Sequence, residues 1–65
     1  MITYKWDAFK DDKWIDGGMR RVSCDELIEY EGTCNILKLI ERWNRIAQLQ
    51  FKMNSPRILW VYNVV

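Results

Sequence analysis

The chain contains no histidine, a single proline, three glycines and two cysteines, and no long apolar run. Each shortage excludes something. Without histidine there is no serine or cysteine triad of the usual kind and no imidazole for zinc. The two cysteines show no Cys-x-x-Cys spacing and allow at most one disulfide, so no disulfide framework exists. No stretch approaches the roughly 18 apolar residues of a membrane span. Residues 1–6, Met-Ile-Thr-Tyr-Lys-Trp, lack the apolar core of a signal peptide. A cytoplasmic protein with reduced thiols is therefore expected. With Met1 first and no visible tag, the sequence is read as a complete natural open reading frame.

What is present is aromatic weight in a short chain. Sixty-five residues make one domain, 1–65, and 49% of them are hydrophobic. A chain this short buries only about 60% of its unfolded surface. It needs a dense core or a partner chain as a staple. Trp6, Trp14, Trp43 and Trp60 can supply the core, and a homodimer is the other expected staple. Net charge is +1, but the two halves differ. Residues 1–31 carry five bases and eight acids, while residues 32–65 carry five bases and one acid, Glu41. Such a split suits head-to-tail docking or the offer of one charged face to a partner. The plainer reading is two solvated faces.

Residues 2–9 alternate, with Ile2, Tyr4, Trp6 and Ala8 on one side, and predict a half-buried strand. Lys10-Asp11-Asp12-Lys13 is a polar turn. Trp14 and Ile15 start a second strand that Asp16-Gly17-Gly18 is expected to interrupt as a tight turn, leaving Met19–Val22 as a short strand. Ser23-Cys24-Asp25-Glu26 fits a capping box and predicts a helix over 24–31 closed by Gly32. Thr33 is the expected cap of the next helix. Ile36, Leu39, Ile40, Trp43, Ile46 and Ala47 recur at spacings of three and four over 34–49, an amphipathic helix. Asn54-Ser55-Pro56 ends it. Residues 57–65 are β-prone on both faces. They predict either a central strand or a face that meets another chain. The fold expected is α+β in the order β-β-α-α-β, an antiparallel sheet packed against the amphipathic helix.

No chemistry of the catalytic kind survives inspection. Ser23 serves as a cap, and the carboxylates fall in turns and helix starts, where solvation rather than the burial a general base needs is expected. The chain is read as a non-enzyme without cofactor. Asp12 to Gly17 begins like a calcium loop, but Trp14 and Ser23 occupy ligand positions and exclude it. Cys24 and Cys34 lie near helix N-termini, where thiol pKa falls. Buried, inert thiols are the commoner outcome. Three surfaces remain as candidates. Asp11, Asp12, Trp14 and Asp16 form an acidic turn around an aromatic. Lys38, Arg42 and Arg45 form a basic helix face. Leu59, Val61 and Asn63 form the outward side of the last strand, assigned to dimerisation. Arginines with aromatics also permit nucleotide or nucleic-acid binding. The sequence pI near 7.8 weighs against nucleic acid.

Leu39-Ile40-Glu41-Arg42-Trp43-Asn44-Arg45 and the terminal Trp60-x-Tyr62 strand, about a third of the chain, look like small accessory proteins encoded by bacteriophages. The resemblance implies a tryptophan-rich interaction protein that binds a bacterial host or immune-system component and blocks it. The anti-defence inhibitors are a prominent part of that class. It assigns no site residue.

Overall fold

Alternation builds the first strand. In the computed structural model, which describes residues 1–65, β1 spans Ile2–Lys10 and buries Tyr4 and Ala8 on one face. Asp11 and Asp12 turn the chain, with φ of 52° and 63°. Two consecutive positive φ angles make the turn whose twist matches that of the flanking strands, and aspartate tolerates that region better than most side chains. β2 then runs from Lys13 to Val22, antiparallel to β1.

The expected turn at Asp16-Gly17-Gly18 is not formed. These residues lie inside β2, paired with Ala8, Asp7 and Trp6. The two-residue loop at Asp11-Asp12 has already fixed the register, so no second reversal is needed. The glycines provide space instead. A Cβ on Gly17 would stand 2.8 Å from Asp7 Oδ1 and 3.1 Å from the Trp14 ring. One on Gly18 would stand 3.1 Å from the Trp6 ring. Each glycine is the floor beneath an indole, Trp14 on one face and Trp6 on the other. Between Ala8, which pairs with Asp16, and Phe9, which pairs with Trp14, the register slips and Ile15 is left over. This bulge resets the alternation, so that Trp14 shares a face with Gly17.

α1 covers Cys24–Glu31. Ser23 Oγ accepts the Glu26 N–H at 3.1 Å, and Gly32, at φ 80°, closes the helix with its N–H on the Ile28 carbonyl. α2 covers Ile36–Met53, later at both ends than 34–49. Its cap is Asn35, whose Oδ1 accepts the Lys38 N–H at 3.3 Å. Thr33 instead accepts the Asn35 N–H at 3.2 Å and shapes the approach. Asparagine ranks above threonine as a cap, and nothing breaks the helix before Asn54. β3, Ile58–Val64, pairs antiparallel with β1, so the sheet order is β2-β1-β3. The central strand is therefore β1, and β3 is an edge.

That edge is partly covered. Asn44 of α2 donates from Nδ2 to the Tyr62 carbonyl at 2.9 Å and accepts the Tyr62 N–H on Oδ1 at 2.7 Å. The side-chain amide pairs with β3 as a neighbouring peptide unit would. Tyr4, Val22, Leu27, Leu39 and Ile40 form the core, with Trp43 and Tyr62 against it. The rings of Tyr4, Trp43 and Tyr62 meet in pairs at 5.0, 5.6 and 6.4 Å, all tilted, as aromatic quadrupoles favour. Both helices serve this one face of the sheet. The molecule is correspondingly thin, 35 × 20 × 14 Å, with seven of 65 residues buried. No helix is long and apolar enough to cross a membrane.

Replacing Asn44 with Ala should lower stability by about 2 kcal/mol, because two hydrogen bonds go and the Tyr62 edge is left unpaired. Urea denaturation of the variant checks this, and sheet-edge association should appear at raised concentration.

Candidate functional site

The strand pairings assign every side chain of the second sheet face. Trp14, Phe9 and Leu59 stand opposite one another across the three strands. The next row is Gly17, Asp7 and Val61, and the one after it Met19, Lys5 and Asn63. Sheet faces of this kind are usually polar where one side packs on a core. Here the end nearest the hairpin tip is apolar. Phe9, Leu59 and Val61 are half-buried, while Trp14 and Met19 are 60% and 67% exposed.

Trp14 is exposed but fixed. Its Nε1–H donates to Asp7 Oδ1 at 3.0 Å, and its ring lies over Gly17. The bulge at Ile15 aims it, and the absent Gly17 side chain admits it. The result is a preorganised aromatic platform at the head of an apolar strip. Trp14, Leu59 and Val61, read from the sequence as parts of two surfaces, thus belong to one, and Asn63 marks its polar end.

The remaining candidate residues are dispersed. Asp11 and Asp12 sit at the hairpin tip beside the strip, where with Phe9, Phe51, Arg57 and Leu59 they line a hollow of about 290 Å³. Asp16 pairs with Ala8, faces the helix side, and accepts the Gly17 N–H at 2.8 Å. The acidic turn is not one cluster. Lys38, Arg42 and Arg45 all lie exposed on α2, away from the strip. Two of these cations face carboxylates, Arg42 at 3.6 Å from Glu31 and Arg45 at 3.9 Å from Glu41. Such exposed pairs add little stability, yet they offset two of the three cations that a basic face would offer.

Sequence reasoning missed Phe9, Met19 and the role of Asp7. For Phe9 the signal was available, since it breaks the polar phase set by Thr3, Lys5 and Asp7 on β1. Also missed was the flank of α2 formed by Ile46, Leu49 and Met53, exposed at 46%, 56% and 83%. It borders a groove of about 220 Å³ shared by Trp43, Gln50, Trp60 and Tyr62. The Trp6 and Trp60 rings meet nearby at 5.3 Å, tilted by 45°. No three acidic or sulfur side chains converge where a metal ion could sit.

Two ionisable groups are perturbed. Cys24 was expected to have a lowered pKa at its helix start. It is raised instead, first by a hydrogen bond with Cys34, then by desolvation and by the charges of Cys34 and Asp25. The helix-start effect is outweighed by these neighbours. Tyr62 is raised above the ordinary 10.0, first by burial and then by the adjacent Tyr4.

A tyrosine is neutral when protonated, so the folded chain holds this proton more tightly than the unfolded one. Its stabilisation is complete below pH 10.0 and is lost as pH climbs through the folded-state value. Alkaline denaturation should therefore show stability falling from about pH 10 upward, and Tyr62→Phe should flatten that fall. Among the indoles, Trp14→Ala should cost under about 1 kcal/mol, because the ring is mostly solvated. Trp43→Ala should cost about 3 kcal/mol. Thermal melts of the two variants provide the comparison. Set against models of known protein families, characterised proteins and solved structures, the chain matches none, so its functional reading rests on this geometry.

Proposed function

We propose that the protein is a small non-enzymatic interaction protein that binds a protein partner through the helix-free sheet face and blocks it by covering it. One observation carries the reading: Trp14 is held in place by Asp7 and Gly17 while most of its ring stays open to solvent. Interface energy concentrates in aromatic anchors, and an anchor already fixed loses little entropy on binding. Phe9, Leu59 and Val61 extend the anchor into a strip, and the aspartates of the tip flank it. Three strands make a face roughly 14 Å wide, a small footprint by the standard of stable complexes. Met19 and the tip must then take part in the contact.

The resemblance to phage accessory proteins supplies the partner class, a bacterial host or immune-system protein met in the host cytoplasm. Self-pairing through Leu59, Val61 and Asn63 uses the same face as Trp14. On any one protomer, homodimer and target complex therefore exclude each other, and the dimer is the resting form that the target displaces.

Tagged protein exposed to bacterial lysate should enrich a partner. Trp14→Ala should reduce that recovery more than about tenfold, while Arg42→Ala should leave it unchanged. Enrichment lost equally in both variants, or recovery of the bait alone, overturns the reading. Native mass measurement should show a dimer that Val61→Glu converts to monomer.

A further inference from the structure

The two hydrogen bonds of Asn44 fix which way every strand margin points. Tyr62 gives both its N–H and its carbonyl to Asn44, away from β1. Trp6, opposite Tyr62, therefore makes no backbone bond to β3 and turns its own N–H and carbonyl to Gly18 of β2. The Trp6 carbonyl oxygen accordingly lies 3.1 Å from where a Gly17 Cβ would stand. Inward and outward residues alternate along an antiparallel strand. Asp16, Gly18 and Arg20 thus bond to β1, while Gly17, Met19 and Arg21 turn their backbone groups to the open margin of β2.

That margin is uncovered. The sheet order is β2-β1-β3, α2 packs along β3, and β2 has its extensive contacts with β1 alone. Of the outward groups, only the Gly17 N–H has a partner, Asp16 Oδ1 at 2.8 Å. Asp16 and Arg20 are exposed on the helix side of β2, opposite Ala8 and Tyr4. Neither has an ion-pair partner in its own chain. The strand is therefore charged at two positions that nothing within the molecule answers.

Two copies of this edge can pair antiparallel only where outward residues face outward residues. Centred on Gly18, the pairing sets Gly17 against the partner's Met19 and Asp16 against the partner's Arg20, each contact made twice by symmetry. Centred on Met19, it would set Asp16 against the partner's Val22 and Arg20 diagonal to the partner's Arg20. Opposite charges directly across a strand pair attract and like charges repel, so charge selects the first register.

We infer that β2 is a self-pairing edge whose occupant is the same strand of a second copy, antiparallel and centred on Gly18. On pairing, the Asp16 carboxylate turns to the partner's Arg20 and releases the Gly17 N–H to the partner's Met19 carbonyl. Asp16 closes the edge in the single chain and ties it in the pair. On the helix-free side, Met19 passes over the partner's Gly17 and meets the partner's Trp14, a sulfur–aromatic contact. Two three-stranded sheets become one of six strands. Growth stops there, because Asn44 occupies the β3 edge of each copy. This contact is distinct from self-pairing through Leu59, Val61 and Asn63, and it does not rest on the partner-binding reading.

The test is hydrogen exchange on the unaltered chain at concentrations on the order of 10 micromolar and of a millimolar, since a contact this small is weak. The Gly17 and Met19 amides should slow more than about tenfold at the higher concentration. The Gly18 and Arg20 amides, already bonded to β1, should not change. Face-to-face pairing leaves the outward amides free and gives no such pattern. Asp16→Arg and Arg20→Asp should each abolish the slowing at Met19, and the double swap should restore it. Both side chains are exposed, so the fold tolerates these changes. Equal exchange at the two concentrations, or slowing that survives either single reversal, overturns the inference. So does slowing that appears only with a lysate protein bound, which would assign the edge to a strand of that protein.

Discussion

The contact between Asn44 and the Tyr62 backbone decides the shape of this molecule. A three-stranded sheet has two edges and two faces, and a single long helix cannot cover them all. By giving its amide to the β3 edge, at 2.7 and 2.9 Å, Asn44 sets α2 along one margin of the sheet. Trp43, the next residue, then falls against Tyr4 and Tyr62. The ring cluster and the edge contact fix each other. This geometry keeps most of α2 off the opposite face, where only Phe51 reaches the hollow shared with Phe9 and Leu59, so Trp14 and Met19 stay exposed as a consequence of how the core is closed.

A thin fold also relocates the burden of stability. With Leu39 the only large side chain fully enclosed, the aromatic rings do the work that aliphatic packing does in larger domains. Ring pairs contribute beyond their area, and every buried polar side-chain atom has a partner. The two glycines of β2 fit the same scheme. Each loses a side chain's packing and gains an indole lying across the strand, one per face.

Much of this was legible in the sequence, and the failures have physical causes. The element order, the α1 cap at Ser23 and the Gly32 stop follow from local chemistry, and local chemistry decides them in the fold. The turn at Asp11-Asp12 is where the sequence placed one, but a second was expected at Asp16-Gly17-Gly18 because Asp-Gly-Gly is the stronger turn signal in isolation. It does not form because the turn at Asp11-Asp12 alone lets β1 and β2 keep their full length in register. β3, apolar on both sides, was expected either at the centre or with one face against another chain. The fold instead makes it an edge whose inner side meets α2 and whose margin meets Asn44, a tertiary contact no local window contains. The candidate surfaces were legible as residues but not as neighbours. Joining Trp14 to Leu59 requires the β1 pairing on both sides, and parting Asp16 from Asp12 requires the bulge.

That bulge has a consequence for how the chain can change. Ile15 is the one unpaired residue between two halves of β2, and its loss would restore strict alternation with Trp14 still opposite Phe9 and Asp16 still opposite Ala8. The strip would keep its aromatic head, and the hairpin, the helices and the ring cluster would keep their places. Selection can thus shorten β2 by one codon without recasting the surface beside it.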